Sequence, residues 1–213
     1  MLESVRSHRA GINVAIIGMG AMGKGLHYQC RLTPGMRCVA VADVLIERAI
    51  ACAKHLKLDY EVVTSVAAMN DAIERGKLAV CDDGDLAARC DAVQVVIEST
   101  SAILAGGQFA ETALRHGKHA VMMNAEADLV FGPHLLRVAR DQGVVYTSCD
   151  GDQHGVLKRL IDELTLWGLD LVMAGNIKGF LDRESNPTKI VPEADKRRLD
   201  YRMATAYTDG TKL

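Results

Sequence analysis

The sequence predicts an α/β protein: a doubly wound parallel sheet followed by the beginning of a second domain. Three observations carry this. Short apolar runs of strand length alternate with segments of helical periodicity at least five times. The pattern Gly18-Met19-Gly20-Ala21-Met22-Gly23 sits at the first junction between an apolar run and a helical segment. The polar signatures Gly18 to Gly23, Glu98-Ser99-Thr100, Asn124 and Asp150-Gly151-Asp152 each fall where a strand is expected to end. That edge is where open parallel sheets bind their ligands.

Taken in order, Val14 to Ile17 is an unbroken apolar run, as expected of a strand buried on both faces. After the glycines, Met22, Leu26 and Cys30 recur at i, i+4 and i+8, one stripe of a helix. Strand, glycine turn and helix form the context of a dinucleotide-binding, Rossmann-type unit. Gly18 allows the tight turn out of the strand, Gly20 lets a pyrophosphate approach the backbone, and Gly23 lets the helix pack closely. The helix N-terminus offers free N–H groups and the positive end of its dipole. Without a ligand, the same residues would be a glycine-rich turn in an α/β core.

Leu32 to Gly35 is a turn, and Arg37 to Asp43 is the second strand. Asp43 stands twenty positions after Gly23, where an acid accepts hydrogen bonds from the adenosine ribose hydroxyls. A carboxylate there repels the extra phosphate of NADP and favours NAD, while Arg48 is placed to reach such a phosphate. Asp43 also suits the N-cap of a helix over 44–56. Tyr60 to Val63 is a third strand, and Thr64 or Ser65 caps a helix over 66–75 that Gly76 ends. Leu78 to Cys81 precedes the acidic turn Asp82 to Asp85, read as a solvated turn with a helix cap because it lacks the closing acid of a calcium loop. Strands are expected over 91–97, 118–123 and 144–146, and helices over 103–116, 126–140 and 156–166, with a break near Phe131-Gly132-Pro133. An apolar run follows over 169–173. From Asn176 the chain is charged and poor in apolar residues, with Pro192 expected to begin a helix bearing Leu199, Met203 and Ala206. Such a segment cannot build a core alone and is expected to need a covering partner before it can support turnover.

These elements divide the 213 residues into a cofactor-binding domain over 1–150 and the start of a substrate domain over 151–213. Hydrophobic residues make up 49% of the chain and charged ones 24%, which supports a sizeable core under a solvated surface. A net charge of −2, with no basic block and few aromatics, points away from nucleic acid. No apolar run approaches the ~20 residues that span a bilayer, and the N-terminus has no signal-peptide core. The chain therefore reads as cytoplasmic. None of its six cysteines forms a CxxC pair, so they read as buried thiols rather than a disulfide framework. His116 and His119 read as loop residues and not as metal ligands.

The motifs resemble a known family. Gly18 to Gly23, Asp43, Glu98-Ser99-Thr100 and His119-Ala-Val-Met-Met-Asn124-Ala-Glu126 resemble the NAD(P)-binding half of homoserine dehydrogenases. Gly151-Asp152-Gln-His-Gly155, Gly175-Asn-Ile-Lys178-Gly-Phe-Leu-Asp182-Arg183 and Asp209-Gly-Thr-Lys212 resemble the homoserine-dehydrogenase-like oxidoreductases. That group includes the deoxyxylulose-phosphate reductoisomerase-like enzymes, often linked to a SAF-type domain. The likeness runs along nearly the whole chain, whereas family members are about twice its length. It implies an NAD(P)-dependent oxidoreductase working on a small polar hydroxy or keto compound, with phosphorylated compounds included, and a homo-oligomer is a separate candidate state. Homoserine dehydrogenases carry a lysine directly after the asparagine matching Asn124; Ala125 stands here.

The site expectations follow. Gly18, Met19, Gly20, Ala21, Met22, Gly23 and Asp43 hold the cofactor, and Glu98, Ser99, Thr100 and Asn124 line its nicotinamide side. Lys178 and Lys212 are the candidate cations that polarise a carbonyl, and Asp152 and Asp182 the candidate proton carriers. The two aspartates also suit a divalent metal. The rival reading is a dinucleotide-binding redox sensor or regulatory module without catalysis.

Overall fold

β1 (Ile12–Ile17) shows why this chain forms a doubly wound sheet. Its side chains alternate between two cores. Val14 and Ile16 enter one, Ala15 and Ile17 the other, and all four are fully or almost fully buried. A strand without a polar face must be covered twice, and helices on both faces supply the cover. The computed structural model describes residues 11–149, 153–175, 184, 186 and 188–196. The chain divides into two compact units, Met1–Asp152 and Gln153–Leu213.

In the first unit, β1 is followed by α1 (Ala21–Leu32), β2 (Met36–Ala42), α2 (Ile46–His55), β3 (Tyr60–Val62), α3 (Val66–Glu74) and β4 (Leu78–Cys81). Then come α4 (Gly84–Arg89), β5 (Val95–Glu98), α5 (Ile103–Arg115), β6 (His119–Met122), α6 (Ala125–Gln142) and β7 (Tyr146–Ser148). The strands form one sheet in the order β3-β4-β2-β1-β5-β6-β7, with every pairing parallel. Cys30 of α1 and Ala49, Cys52 and Ala53 of α2 cover one face, and Met69, Ala72, Ala87 and Ala88 of α3 and α4 cover the other. A third core lies under α5 and α6, around Leu114, Met122, Leu135 and Tyr146. The chain runs outward from β1 in one direction, then returns and leaves by β5 in the other. The strand order therefore reverses between β1 and β5, and ligands of such sheets bind outside the carboxyl ends at that point.

Local signals explain the boundaries. Ser65 Oγ accepts from Ala68 N–H at 3.2 Å, so Ser65 rather than Thr64 caps α3. Asp83 Oδ1 accepts from Asp85 N–H at 2.9 Å, which makes the acidic turn the cap of α4. Gly143, in the left-handed region at φ 67°, ends α6.

Four expectations change. β5 begins at Val95 instead of Asp91, because Asn70 Oδ1 accepts from Ala92 N–H and Asn13 Nδ2 donates to Ala92 O, which holds that stretch as a turn. α6 runs unbroken through Pro133. Proline there removes the bond to the Leu129 carbonyl, on a residue that is 83% exposed and open to water. The buried stripe of α1 is Gly23, His27 and Cys30, while Met22 is exposed, since the helix is drawn in at Gly23. Asp43 is not the cap of α2; Leu45 occupies that position.

The second unit contains α7 (Gln153–Leu166), which starts three residues before the expected Val156, and α8 (Ile190–Lys196), which starts two before Pro192. Leu169, Leu171, Val172 and Met173 form no regular element and are exposed. Leu199, Met203 and Ala206 lie outside the described residues. Among the described residues, no helix is long and apolar enough to cross a membrane.

Burial gives the fold an acid-sensitive point. His27 is buried, its Nδ1 lies 3.6 Å from Cys52 Sγ, and burial with the nearby Arg31 charge lowers its pKa to about 4. The unfolded chain protonates this imidazole near pH 6.5, so it binds the proton before the folded chain does. Stability is therefore whole above about 6.5 and falls as pH drops towards 4. The contribution is on the order of 3 kcal/mol. His27→Leu should flatten the pH dependence of the urea midpoint between pH 7 and 5. An unchanged slope would remove His27 from the acid limb.

Candidate functional site

The site grows out of the end of β1. Gly18 leaves the strand at φ 95°, a conformation that side chains rarely adopt. A Cβ there would also lie 2.7 Å from Thr100 N, so the turn packs backbone to backbone on the segment after β5. Ser99 fixes that contact, its hydroxyl donating to Ile17 O at 3.0 Å and Gly18 O at 2.8 Å. Gly23 packs still closer: a Cβ on it would collide with Gly18 O.

Gly20 differs. Its φ of −70° suits any residue, and nothing lies within 4 Å of the place its Cβ would take. The fold makes no demand for glycine at this position. Gly20 is also the N-cap of α1 and carries no side-chain cap, and the first helical turn holds no acid. The leading N–H groups of α1 thus open onto an empty, positively polarised space. That space fits a pyrophosphate: room where a Cβ would stand, unclaimed donors and the helix dipole.

Asp43, at the end of β2, is buried and pins this turn. Its Oδ2 accepts from Met19 N–H at 2.7 Å and its Oδ1 from Leu45 N–H at 2.8 Å. Each oxygen keeps a further lone-pair direction for a ribose hydroxyl. The Met19 side chain is fully buried, so only its backbone faces the turn, whereas Ala21 and Met22 are exposed at the start of α1. Val44 and Leu45 stand exposed beside Asp43.

On the other side of β1, Glu98 closes β5 with 1% of its surface exposed, and its Oε1 accepts from Thr100 N–H at 2.8 Å. Thr100 Oγ1 accepts from Ala102 N–H at 3.2 Å. Asn124 caps α6 through Oδ1 to Ala127 N–H at 3.1 Å and donates from Nδ2 to Ala102 O at 3.3 Å. It thus ties α6 to the segment leading into α5. Burial raises the Glu98 carboxyl pKa, and the lowering by Thr100 and Asn124 is smaller.

The structure therefore gathers the glycine turn, Asp43, Glu98, Ser99, Thr100 and Asn124 at one sheet edge. Asp152, Lys178, Asp182 and Lys212 lie outside the described residues. Among the described residues there is no group of three metal-ligating side chains. His116 Nδ1 lies 2.8 Å from Thr112 O, and His119 Nδ1 accepts from Val145 N–H at 3.0 Å, so each has a local partner. Sequence reasoning missed Gly106 of α5. A Cβ there would lie 2.8 Å from Glu98 Oε2 and 2.9 Å from Asn124 Nδ2. The Gly106-Gly107 doublet inside a helical segment was the available signal.

Comparison with known proteins follows this geometry. Residues 12–124, more than half of the chain, match the oxidoreductase family with an NAD-binding Rossmann fold. The chain belongs to this family. Residues 151–213 match the catalytic domain of the DRL oxidoreductases. Among curated proteins there is no match. Solved structures share the fold at low identity. An NAD-binding oxidoreductase from Klebsiella pneumoniae is 19% identical with a TM-score of 0.55, over 75% of this chain and 39% of that one. A homoserine dehydrogenase from Thiobacillus denitrificans is 19% identical with a TM-score of 0.54, over 73% of this chain and 34% of its own. A 3-ketoreductase from Actinomadura kijaniata, in complex with TDP-benzene and NADP, is 19% identical with a TM-score of 0.53, over 74% and 44%. The match therefore covers less than half the length of each of these structures.

Proposed function

We propose that this chain is the nicotinamide-dinucleotide-binding part of an oxidoreductase that moves a hydride to or from a small polar hydroxy or keto compound. The observation that supports this best is Gly20, a glycine that neither backbone conformation nor packing requires, at the uncapped start of a helix. The family of residues 12–124 supports the same reading. In it, Gly20 and the first N–H groups of α1 hold the pyrophosphate, and Asp43 takes the adenosine ribose. Glu98 and Asn124 then stand on the nicotinamide side, across β1 from Asp43. The cofactor, when bound, supplies or accepts the hydride; the chain's own residues orient it and exclude water. Lys178, Lys212, Asp152 and Asp182 are proposed to serve the substrate, the lysines by polarising its carbonyl and the aspartates by carrying its proton. The buried carboxylate of Asp43 favours NAD over NADP. The motifs beyond residue 150 support a homoserine-dehydrogenase-like member of the family.

Titration of the chain with NADH and NADPH, followed by fluorescence or calorimetry, tests this reading. One dinucleotide should bind per chain with a Kd of roughly micromolar order, about −8 kcal/mol. Absence of binding by either cofactor would sink the proposal.

A further inference from the structure

Glu98 Oε2 is the one buried side-chain oxygen or nitrogen among the described residues without a hydrogen-bond partner. The nearby amide of Asn124 is directed to Ala102 O, and the carboxyl rests over Gly106, where any side chain would displace it. The fold does not need an acid here. The bond that its Oε1 accepts from Thr100 N–H would serve a glutamine equally well, and the Thr100 and Asn124 side chains beside the carboxyl favour its charged form less than burial opposes it. A buried carboxylate with an orphan oxygen is costly, so the position suits a group that holds a proton and releases it when a positive charge arrives.

The neighbours agree. In register, β1 sets Ile17 beside Glu98 and β6 sets Met122. α5 sets Gly106 against it, and the start of α6 sets Asn124. Among the described residues, the titratable groups facing this region are Tyr146 of β7 and Asp128 of α6, and the tyrosine donates its hydroxyl proton to Asp128 Oδ1 at 2.5 Å. Burial, and then the hydrogen bond to Asp128, raise the Tyr146 pKa. His119, the ionisable residue of β6, pairs with Val95 at the far end of the strand. None of these neighbours is a cation. The carboxyl is the buried acid on the side of β1 opposite Asp43, the side assigned above to the nicotinamide.

We infer that Glu98 makes the site discriminate between the two redox states of the cofactor by proton linkage. Binding the oxidised, cationic ring releases the Glu98 proton to solvent, and binding the neutral reduced ring leaves it in place. The balance is protein–COOH plus oxidised cofactor giving the protein–COO⁻ complex plus H⁺, with no electron transferred. This rests on the dinucleotide-binding reading above. Burial raises the Glu98 pKa in the free protein, in keeping with a group that holds its proton until the ring arrives. Affinity for the oxidised form should rise with pH, by up to tenfold per unit, between the Glu98 pKa of the complex and that of the free protein. Above that window it should level off. Affinity for the reduced form should stay flat throughout.

The test uses the full chain with NAD⁺ and NADH, which lack the titrating 2′-phosphate of NADP. Calorimetry in two buffers of different ionisation enthalpy counts protons released. The inference expects a sizeable fraction of one proton released with NAD⁺ and none with NADH, and expects Glu98→Gln to abolish the release and the pH dependence of the NADH-to-NAD⁺ affinity ratio. The wild-type proton count stands even where the variant folds poorly. A ratio independent of pH in the wild type would overturn the inference while leaving dinucleotide binding intact, and so would equal proton release by a folded Glu98→Gln variant. Failure to bind either form would overturn the parent reading and this inference together.

Discussion

Gly20→Val should weaken dinucleotide binding at least tenfold and leave the first unit folded, whereas Gly23→Ala should damage the fold itself. The two glycines belong to one turn, yet their surroundings are opposite. At Gly20 the backbone conformation is ordinary and the Cβ position is open, so valine costs the free protein only a cap preference of about 1 kcal/mol. It fills the space that a pyrophosphate needs, and affinity should fall at least tenfold, about 1.4 kcal/mol or more. At Gly23 even a methyl collides with the carbonyl of Gly18, and Ser99 Oγ stands 3.1 Å away. Both obstacles belong to a turn anchored by Asp43 and Ser99, so neither can yield cheaply. Overpacking of this kind costs about 3 kcal/mol or more. Thermal melts and NADH titrations on the two variants check the contrast. A Gly20→Val protein that binds as the parent does would remove the phosphate role of Gly20. A fully stable Gly23→Ala would show that the turn is softer than its packing implies.

The parts of this site that are local in sequence are the parts that sequence reading captures. The glycine turn, its strand and its helix follow one another without a break from Ile12 to Leu32, and the chemistry of each glycine follows from its spacing. Asp43 is likewise legible, because strand, helix and strand set its distance from Gly23. The second job of Asp43, tethering Met19, depends on how β1 and β2 lie side by side, and a sequence does not display that. β5 begins late for a similar reason: Asp91 to Gln94 looks extended, but the side chains of Asn13 and Asn70, far away in sequence, hold it as a turn. Phe131-Gly132-Pro133 predicts a helix break on local grounds, yet one lost bond on an exposed face is too small to stop a helix of 18 residues. Glu98 is legible as the polar end of an apolar strand, and it closes β5. Its orphan oxygen depends on Gly106 and Asn124 meeting it in space, a contact among three separate elements. The candidate substrate residues after residue 150 carry motif likeness only, since they lie outside the described residues.

Asp43→Ala should both loosen the turn and shift the cofactor preference. The carboxylate is buried, holds two backbone N–H groups and faces the adenosine side of the proposed site. Alanine leaves the Met19 and Leu45 donors without their acceptor, which costs about 1–3 kcal/mol for a buried group. The affinity for NAD should therefore fall through two causes: a less ordered glycine turn and a lost ribose acceptor. NADP loses the same turn order, but it also escapes a negative charge beside its 2′-phosphate. Arg48, exposed one turn further on in α2, is free to approach that phosphate. Removing a like charge at such a distance is worth on the order of 1–3 kcal/mol, so the preference should move towards NADP by tenfold or more. Asp43→Asn separates the two causes, because its side chain keeps an acceptor for one N–H while shedding the charge. It should move the NADP-to-NAD ratio nearly as far as alanine with a smaller loss of stability. Parallel titrations with NADH and NADPH on the three proteins give the ratios, and urea midpoints give the stabilities. A parent protein that already favours NADPH strongly would end the assignment of Asp43 to the ribose. An unchanged ratio in both variants, with stability lost, would leave Asp43 as a purely structural tether of Met19 and Leu45.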